Sequence, residues 1–412
     1  MKKLTMEEWE KKYIAGNVGR FDQKNIMFAR PDWDEELKAR LDDWFMGAKV
    51  GYDQLGWSIE ERALSTAQVP LRGLMGLASH RKPNPSRQTK AFMKAMADLK
   101  PQMPGGAKKP PEDVKIDASD PQRTSSILKK VATYYGADLV GICRLDRRWV
   151  YSDSYDYNPY LAGTTEKPIG LSTPQEIPEE FQYAIVMAFE MDYDLLQYVG
   201  SAVYGAATGF GYSRMAITNS YLSEYITNIG FKAINCTTND VALTVPMAMQ
   251  AGLGDVGRHG LLITPEFGPR VRLSKVITNL PLEVDSPIDF GVTDFCVACE
   301  KCADHCPSDS IIRGDRTNEP LNASNVGGEL KWPVNCETCR MYWSTSKKGG
   351  CNLCISSCPY NKVNTWPHKI VRWVAENAPW MDKLLVLGDD MLGYGKPRST
   401  ENFWNEWKPK RR

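Results

Sequence analysis

Helical and extended hydrophobic patterns alternate along the middle of the chain. Residues 124–146, TSSILKKVATYYGADLVGICRLD, begin with hydroxyl side chains, continue with apolar residues at helical spacing and end in a glycine and an apolar run. This order predicts a capped helix, a turn and a short strand. Residues 181–191, FQYAIVMAFEM, are apolar over almost their whole length. Such a run predicts a further strand.

Shorter elements of both kinds follow this strand. The pattern predicts a helix over 212–229 that stops at Gly230, a short helix over 241–251, and strands over 231–235, 260–264 and 271–282. Helices and strands mixed in this way predict an α+β domain, and we place its limits at residues 122–285.

The two ends of the chain differ from this middle part. Residues 1–121 are predicted to form a mainly helical unit, as in DWDEELKARLDDWFMG at 32–47, followed by the proline- and glycine-rich linker PQMPGGAKKPPEDVKIDASDP. Residues 286–370 contain most of the cysteines and form a third segment. Residues 371–412 contain several tryptophans and are predicted to close over the cysteines as a C-terminal cap.

Composition and charge exclude several classes of protein. The 412 residues have a formal net charge of +1 with both signs interspersed, so no nucleic-acid-binding surface is predicted. The chain has no apolar run of about 18 residues, the length that a membrane-spanning helix needs. Nine of the eleven cysteines fall between Cys296 and Cys358, and this clustering indicates metal binding rather than a disulfide framework.

The cysteines form two related motifs. FCVACEKCADHCP, at 295–307, has the C-x2-C-x2-C-x3-C-P spacing of bacterial ferredoxins, whereas CNLCISSCP, at 351–359, contains three cysteines and needs one further ligand. In two-cluster ferredoxins the last cysteine of each run ligates the other cluster, so two [4Fe-4S] clusters are predicted. One set is Cys296, Cys299, Cys302 and Cys358; the other is Cys306, Cys351, Cys354 and either Cys336 or Cys339. Zinc, which also binds C-x2-C pairs, is the alternative.

A glycine-rich segment lies upstream of the cysteines. GLGDVG, at 252–257, formally matches G-x-G-x-x-G, but a predicted helix rather than a strand precedes it, which argues against a dinucleotide site. Close approach of the backbone to a flat cofactor explains the glycines better, and a helix C-cap with a turn is the simpler alternative.

His259 follows these glycines in DVGRHG. The D-x-H-x-x-G motif of cobalamin proteins has one residue between Asp and His, whereas three residues separate Asp255 from His259. We therefore expect that His259 does not ligate cobalt. A structural role is the alternative to its assignment as a cofactor-binding residue. The residues assigned to cofactor binding are Gly252, Gly254, Gly257 and His259.

Several blocks of the sequence resemble the corrinoid-dependent reductive dehalogenases. They are GYSRM at 211–215, the stretch 238–282, both cysteine motifs, CRMYW at 339–343, and the ending GYGK…NFW. The resemblance begins near residue 122 and implies a nitroreductase-like core, a corrinoid bound without a protein histidine, and two [4Fe-4S] clusters that supply electrons. The family's C-x-x-[FY]-W motif matches Cys339, which implies Cys339 as the remaining ligand and Cys336 as a spare thiol.

The resemblance also implies three catalytic residues. The tyrosine of the family's Y-S-x-M pattern donates a proton and corresponds to Tyr212. Arg272 matches the arginine of G-x-x-V-R, where a guanidinium stabilises the phenolate, and Arg270 is the alternative. Asn239 matches the asparagine of G-N-D as a hydrogen-bonding amide, although Thr238 replaces the glycine and a turn-forming asparagine is the alternative.

The implied function is reductive removal of halide, above all chloride, from a small organohalide. The expected partners are that substrate, an external low-potential electron donor, a small integral-membrane anchor protein and a second copy of the chain in a homodimer. A mature or truncated form at the outer face of the cytoplasmic membrane is expected, and a cytoplasmic protein is the alternative. The alternative functions are an epoxyqueuosine reductase-like tRNA-modifying enzyme and a non-catalytic iron–sulfur electron-transfer protein.

Overall fold

Helices and short strands alternate in the computed structural model, which describes residues 1–41, 51–67, 115–155, 172–238, 240–346 and 350–408. The strands are β1 (Lys2–Lys3), β2 (Leu139–Arg144), β3 (Asp153–Tyr155), β4 (Ser172–Pro174), β5 (Tyr183–Glu190), β6 (Ala233–Cys236), β7 (Asp255–Val256), β8 (Leu262–Ile263), β9 (Val271–Thr278) and β10 (Ile288–Asp289). The helices are α1 (Met6–Tyr13), α2 (Glu35–Arg40), α3 (Ile59–Thr66), α4 (Pro121–Tyr134), α5 (Ala202–Asn228), α6 (Thr244–Gln250), α7 (Val292–Cys299), α8 (Lys301–Asp304), α9 (Cys336–Thr345), α10 (Leu353–Ser356), α11 (Trp366–Asn377), α12 (Asp382–Met391) and α13 (Phe403–Glu406).

The central element is a four-stranded sheet in the order β2-β5-β9-β6, in which each neighbouring pair is antiparallel. Strand β5 is buried on both faces. Its even-numbered residues from Ala184 to Ala188 join a core beneath α6, and its odd-numbered residues from Ile185 to Phe189 join a core beneath α4 and α5. The apolar run of β5 follows from this arrangement, because side chains of a strand alternate between faces. Helices packed against a sheet whose strands are all antiparallel confirm the predicted α+β class.

Helix α5 is much longer than the pattern predicts. The helix was expected over 212–229, but it begins after Ser201, whose hydroxyl caps the first turn by accepting from the Tyr204 N–H at 3.3 Å. Its first ten residues, AVYGAATGFG, contain glycines and small apolar side chains that lack helical periodicity and are mostly buried. Tertiary packing therefore stabilises this half of the helix.

The first residues of the chain belong to the same core. Trp9 and Tyr13 of α1 are buried in one cluster with Trp149, and β1 pairs with β10. The Tyr13 hydroxyl donates to the buried carboxylate of Asp255 at 2.6 Å. Segments 1–41 and 115–155 thus share a core although a boundary is predicted between them at 121, and the four domain limits stay predictions.

The cysteine-rich segment and the C-terminal helices pack together. Phe295 of α7, Ala375 of α11 and Val386 of α12 contribute to one apolar cluster. All eleven cysteines are free of disulfides. Among the described residues, no helix has the length and hydrophobicity to cross a membrane.

Candidate functional site

Four cysteines from distant parts of the sequence line one cavity. Cys296 and Cys299 lie on α7, Cys302 lies on α8, and Cys358 follows α10. Glu300 separates α7 from α8 with a φ of 44°, a left-handed conformation that turns the chain between the two helices. The four thiols line one cavity together with Phe295, Pro359 and Tyr360. We call Cys296, Cys299, Cys302 and Cys358 the first cysteine site.

The electrostatics of the first cysteine site suit a positively charged centre. Burial raises the pKa of Cys299 to about 11 and that of Cys358 to about 12. Burial also raises the pKa values of Cys296 and Cys302, and neighbouring thiolates of the same site raise them further. Without a metal these thiols stay protonated at neutral pH, whereas coordination deprotonates them.

Arg258 and His259 complete the lining of this cavity. The Arg258 guanidinium is buried and donates to the Cys296 carbonyl from Nε and Nη2 at 3.1 and 2.9 Å, and from Nη1 to the carbonyls of Ile312 and Gly314 at 2.9 and 3.0 Å. His259 is also buried, and burial lowers its pKa to about 4. The ring is therefore neutral at physiological pH.

A second group of cysteines lies next to the first. The pKa of Cys354 is raised by burial and then by the charges of Cys351, Cys339 and Cys306, so these four thiols are neighbours. Burial raises the pKa of Cys339 to about 12. We call Cys306, Cys339, Cys351 and Cys354 the second cysteine site.

The thiols of Cys306 and Cys336 have different surroundings. Hydrogen bonds from the Ser308 hydroxyl and the Ser310 N–H, at 3.5 and 3.3 Å from Sγ, outweigh burial and lower the pKa of Cys306. Cys336 adjoins Cys339, but its thiol is directed at the Val334 carbonyl at 3.5 Å. Burial raises its pKa, and the charges that modify this pKa belong to Lys331, Glu337 and Arg30 rather than to cysteines. Cys336 is in turn the strongest neighbouring charge that raises the pKa of Cys339, so both thiols lie near this site, and the assignment of Cys339 rather than Cys336 stays a prediction.

Tyr212 and Arg272, which lie sixty residues apart in sequence, are brought into contact. The Arg272 guanidinium carbon lies 4.8 Å from the centre of the Tyr212 ring. Tyr212 comes from α5 and Arg272 from β9. Gly211 allows this close packing, because a Cβ at Gly211 would lie 3.0 Å from Arg272 Cγ. The arrangement places a cation over the ring face of a phenol.

Arg270, the alternative to Arg272, occupies a different environment. Its guanidinium is buried, pairs with Glu190 at 3.1 Å, and donates to the carbonyls of Phe267 and Lys362 at 2.8 and 2.7 Å. Arg270 thereby ties the beginning of β9 to the segment after Cys358. It has a structural role in these contacts.

Tyr204 links the second cysteine site to the Tyr212–Arg272 pair. Tyr204, Thr208 and Tyr212 are spaced four residues apart on α5 and share one face of the helix. Burial raises the pKa of Tyr204, and both the positive charge of Arg272 and the negative charge of Cys351 act on its hydroxyl. The Thr208 hydroxyl lies 3.5 Å from Arg272 Nη2. Sequence reasoning missed Tyr204 because the predicted helix began only at Tyr212.

Asn239 lies outside the described residues. Beside it, the Asp240 carboxylate accepts from the N–H groups of Thr237 and Thr238 at 3.1 and 3.4 Å. The buried Lys275 ammonium donates to the Thr238 carbonyl at 3.2 Å. The role of Asn239 stays a prediction.

The predicted glycines are explained by contacts within the protein. A Cβ at Gly254 would lie 2.1 Å from the Ile263 carbonyl oxygen, and one at Gly252, whose φ is +72°, would lie 2.5 Å from the Ser286 oxygen. A Cβ at Gly257 would lie 2.9 Å from Cε1 of His259. These close approaches require glycine without a ligand, and the predicted cofactor contacts of this segment stay a prediction.

Comparison with known proteins identifies relatives over most of the chain. A tetrachloroethene reductive dehalogenase from Sulfurospirillum multivorans is 40% identical over 304 residues, which cover 70% of this chain and 60% of that protein. A protein of the same name from Desulfitobacterium hafniense is 35% identical over 327 residues, 69% of this chain and 58% of the relative. An epoxyqueuosine reductase from Lactococcus garvieae is 32% identical over 140 residues, only 30% of this chain and 34% of the relative. The chain spans about 60% of the length of the dehalogenases.

Solved structures agree with these relatives. The catabolic reductive dehalogenase NpRdhA, as a variant, is 25% identical with a TM-score of 0.63, over 92% of this chain and 46% of that one. A structure described as suggesting a mechanism for B12-dependent dehalogenation has a TM-score of 0.64 at 24% identity, over 95% of this chain and 49% of that one, and supports the fold. No family model matches the chain. From its relatives and its fold, the chain belongs to the reductive dehalogenase family.

Proposed function

We propose that this chain catalyses reductive dehalogenation of a small organohalide. The observation that carries the proposal is the contact of Tyr212 with Arg272, joined through Tyr204 to the second cysteine site. The overall reaction consumes two electrons and one proton and converts a carbon–halogen bond into a carbon–hydrogen bond and a halide ion. Chlorinated ethenes are the first substrates to test, because the relative that is 40% identical is named for tetrachloroethene.

The two cysteine sites are proposed to hold one [4Fe-4S] cluster each. Each site brings together four thiols, the number of ligands that such a cluster takes. Each set also combines cysteines from both sequence motifs, as in two-cluster ferredoxins. The clusters would supply single electrons when bound, and the chain's part is to hold them next to each other, with the second cysteine site beside α5.

A corrinoid is proposed at the Tyr212–Arg272 pair, bound without a histidine from the protein. The three described histidines support this proposal by their positions. His259 lines the first cysteine site, and His305 forms a hydrogen bond with the Lys301 carbonyl beside Cys306. His368, which lies on α11, is close to the Tyr394 hydroxyl. Arg272 Nε is buried without a hydrogen-bond partner among the described residues, so the pair retains a donor for a bound group. Bound corrinoid would supply a low-valent cobalt that reduces the carbon–halogen bond.

Tyr212 and Arg272 have separate roles in this proposal. Tyr212 donates the proton that the substrate carbon gains, and its phenol is re-protonated from solvent. Arg272 holds the ring from its face and stabilises the phenolate that remains. Asn239 is the proposed third catalytic residue, as an amide that hydrogen-bonds the tyrosine or the halide.

An exposed apolar surface supports a membrane anchor protein as partner. On α11, Trp366, Ile370 and Trp373 are 74%, 53% and 62% exposed at helical spacing. Leu384 and Met391 on α12 are 58% and 80% exposed. Large apolar side chains at such density are typical of an interaction surface. We propose that this surface binds the anchor at the outer face of the membrane, and that the electron donor reaches the first cysteine site.

The test is anaerobic purification followed by analysis of iron, sulfide, cobalt and the corrinoid spectrum. Turnover is then measured with reduced viologen and tetrachloroethene, trichloroethene and brominated phenols. We expect about eight iron atoms per chain, from two four-iron clusters, one corrinoid, and halide release. Bound corrinoid with no halide released from any substrate would contradict the proposed activity. Salt-sensitive binding of tRNA would instead favour the epoxyqueuosine reductase alternative.

A further inference from the structure

Two buried side chains with N–H donors, Arg258 and His259, line the cavity of the first cysteine site. They differ in how many of these donors form hydrogen bonds. Arg258 directs four hydrogen bonds at the main-chain carbonyls of Cys296, Ile312 and Gly314, and Nη2 also lies 3.2 Å from the Glu300 carboxylate. Its donors therefore hold the protein frame around the cavity. His259 keeps a donor that these contacts do not use.

The tautomer of His259 follows from its neighbour in the chain. The Leu261 N–H donates to Nδ1 of His259 at 3.2 Å, so Nδ1 carries a lone pair and the ring proton is on Nε2. Nε2 is buried and has no hydrogen-bond partner among the described residues, although the ring lines the cavity of the four thiols. A buried donor left unpaired is costly and rare in native proteins.

The local backbone holds the imidazole in this position. The Gly257 N–H donates to the Leu261 carbonyl at 3.0 Å, and the Gly260 N–H donates to the Gly257 carbonyl at 2.9 Å, which closes a tight turn around His259. A Cβ at Gly257 would lie 2.9 Å from Cε1 of the ring. The same Cβ would lie 2.7 Å from Ile263 Cδ1, so glycine at this position makes room for both the Ile263 side chain and the imidazole.

We propose that His259 donates a hydrogen bond from Nε2 to a sulfur atom of the iron–sulfur cluster in the first cysteine site and raises its reduction potential. The proposal rests on the cluster binding proposed above. Reduction adds one negative charge to the cluster, so a hydrogen bond to its sulfur stabilises the reduced form more than the oxidised form. His259 would thus act as a redox-tuning residue of one cluster and leave the other unchanged.

The test is a redox titration of the full-length protein with both clusters, followed by electron paramagnetic resonance. In His259→Leu we expect a tenfold shift of the first cluster's redox equilibrium toward the oxidised form, which equals about 59 mV for one electron. His259→Gln keeps an N–H at the corresponding position and should restore most of the potential. The cluster of the second cysteine site is the internal control, and its potential should stay constant in both variants.

A shift of less than twofold in His259→Leu, with full iron content, would overturn the proposal, as would equal shifts of both clusters. If these variants lose iron, the wild-type protein decides. Pulsed resonance with 15N-labelled histidine should show coupling of a ring nitrogen and an exchangeable proton to the reduced cluster, and absence of both couplings overturns the proposal. Wild-type protein without iron and sulfide would instead refute the cluster binding, and titrating clusters without halide release would refute only the dehalogenase activity.

Discussion

The two cysteine sites have similar ligands but different surroundings. In the first cysteine site three of the four cysteines are buried, and Arg258, His259 and the helices α7 and α12 enclose it. In the second cysteine site all four cysteines are partly exposed, hydroxyl groups bond Cys306, and Tyr204 of α5 lies beside Cys351. The difference indicates separate tasks, because among the described residues the link to Tyr204, on the helix that carries Tyr212, is found at the second site.

Removal of a ligand from the second cysteine site gives the largest expected effect. In Cys339→Ser we expect loss of one cluster and a fall in the dehalogenation rate of more than about 100-fold. Loss of a residue that only hydrogen-bonds a metal ligand already lowers metal affinity or activity by about 10- to 100-fold. Cys336→Ser is the matched control on the same helix and should retain about eight iron atoms per chain and normal turnover. Iron analysis and halide release measure both. The reverse result would make Cys336 the ligand.

Tyr212→Phe separates proton transfer from electron supply. Both clusters and the corrinoid should be retained, while turnover falls by roughly 100- to 10,000-fold, the usual contribution of a general acid. Tyr221→Phe is a control on the same helix, because this ring is 54% exposed. Steady-state kinetics with reduced viologen measures the effect. Normal turnover in Tyr212→Phe would move the proton donor to another group.

Much of this comparison could be predicted from the sequence. The spacing of the cysteines depends on the local turns of a ferredoxin-like segment, so it predicts which thiols share a cluster, and Cys302 and Cys358 line one cavity in the structure. The continuous apolar run of β5 predicts that strand, because a strand that is buried on both faces needs apolar side chains at successive positions.

Other features depend on contacts between distant segments. The beginning of α5 could not be predicted because its glycines and alanines are helical only through burial, and Tyr204 was missed with it. The predicted cofactor contacts of Gly252 and Gly254 stay a prediction, and the protein atoms that would meet a Cβ at these positions belong to Ser286 and Ile263. A glycine in the sequence can indicate that another atom lies close to the backbone, but it does not identify that atom.

Two arginines close together in sequence, Arg272 on β9 and Arg270 just before it, should produce different defects when substituted. Arg272→Lys keeps the charge but loses the planar contact with Tyr212, which is worth about 0.5–2 kcal/mol, so turnover should fall by roughly 2- to 30-fold. Arg270→Lys loses buried hydrogen bonds to the carbonyls of Phe267 and Lys362 and should lower the free energy of unfolding by about 1–3 kcal/mol. Kinetics and urea unfolding measure the two effects. A stability loss in Arg272→Lys that equals that of Arg270→Lys would show that the two arginines share one structural role.

The smallest expected effect concerns a carboxylate near Tyr360, a residue that lines the cavity of the first cysteine site. Asp382 at the start of α12 is buried, its Oδ1 has no partner among the described residues, and burial with the nearby Asp294 raises its pKa to about 6 from the ordinary 3.8. Between these values the folded protein binds more protons than the unfolded chain, so this group's contribution to stability falls as pH rises through the window. Asp382→Asn removes the buried charge and should raise Tm by roughly 2 °C at pH 7.5, with a smaller gain at pH 5.5. Equal gains at both pH values, measured by thermal unfolding at a fixed scan rate, would show that the benefit comes from packing rather than from charge.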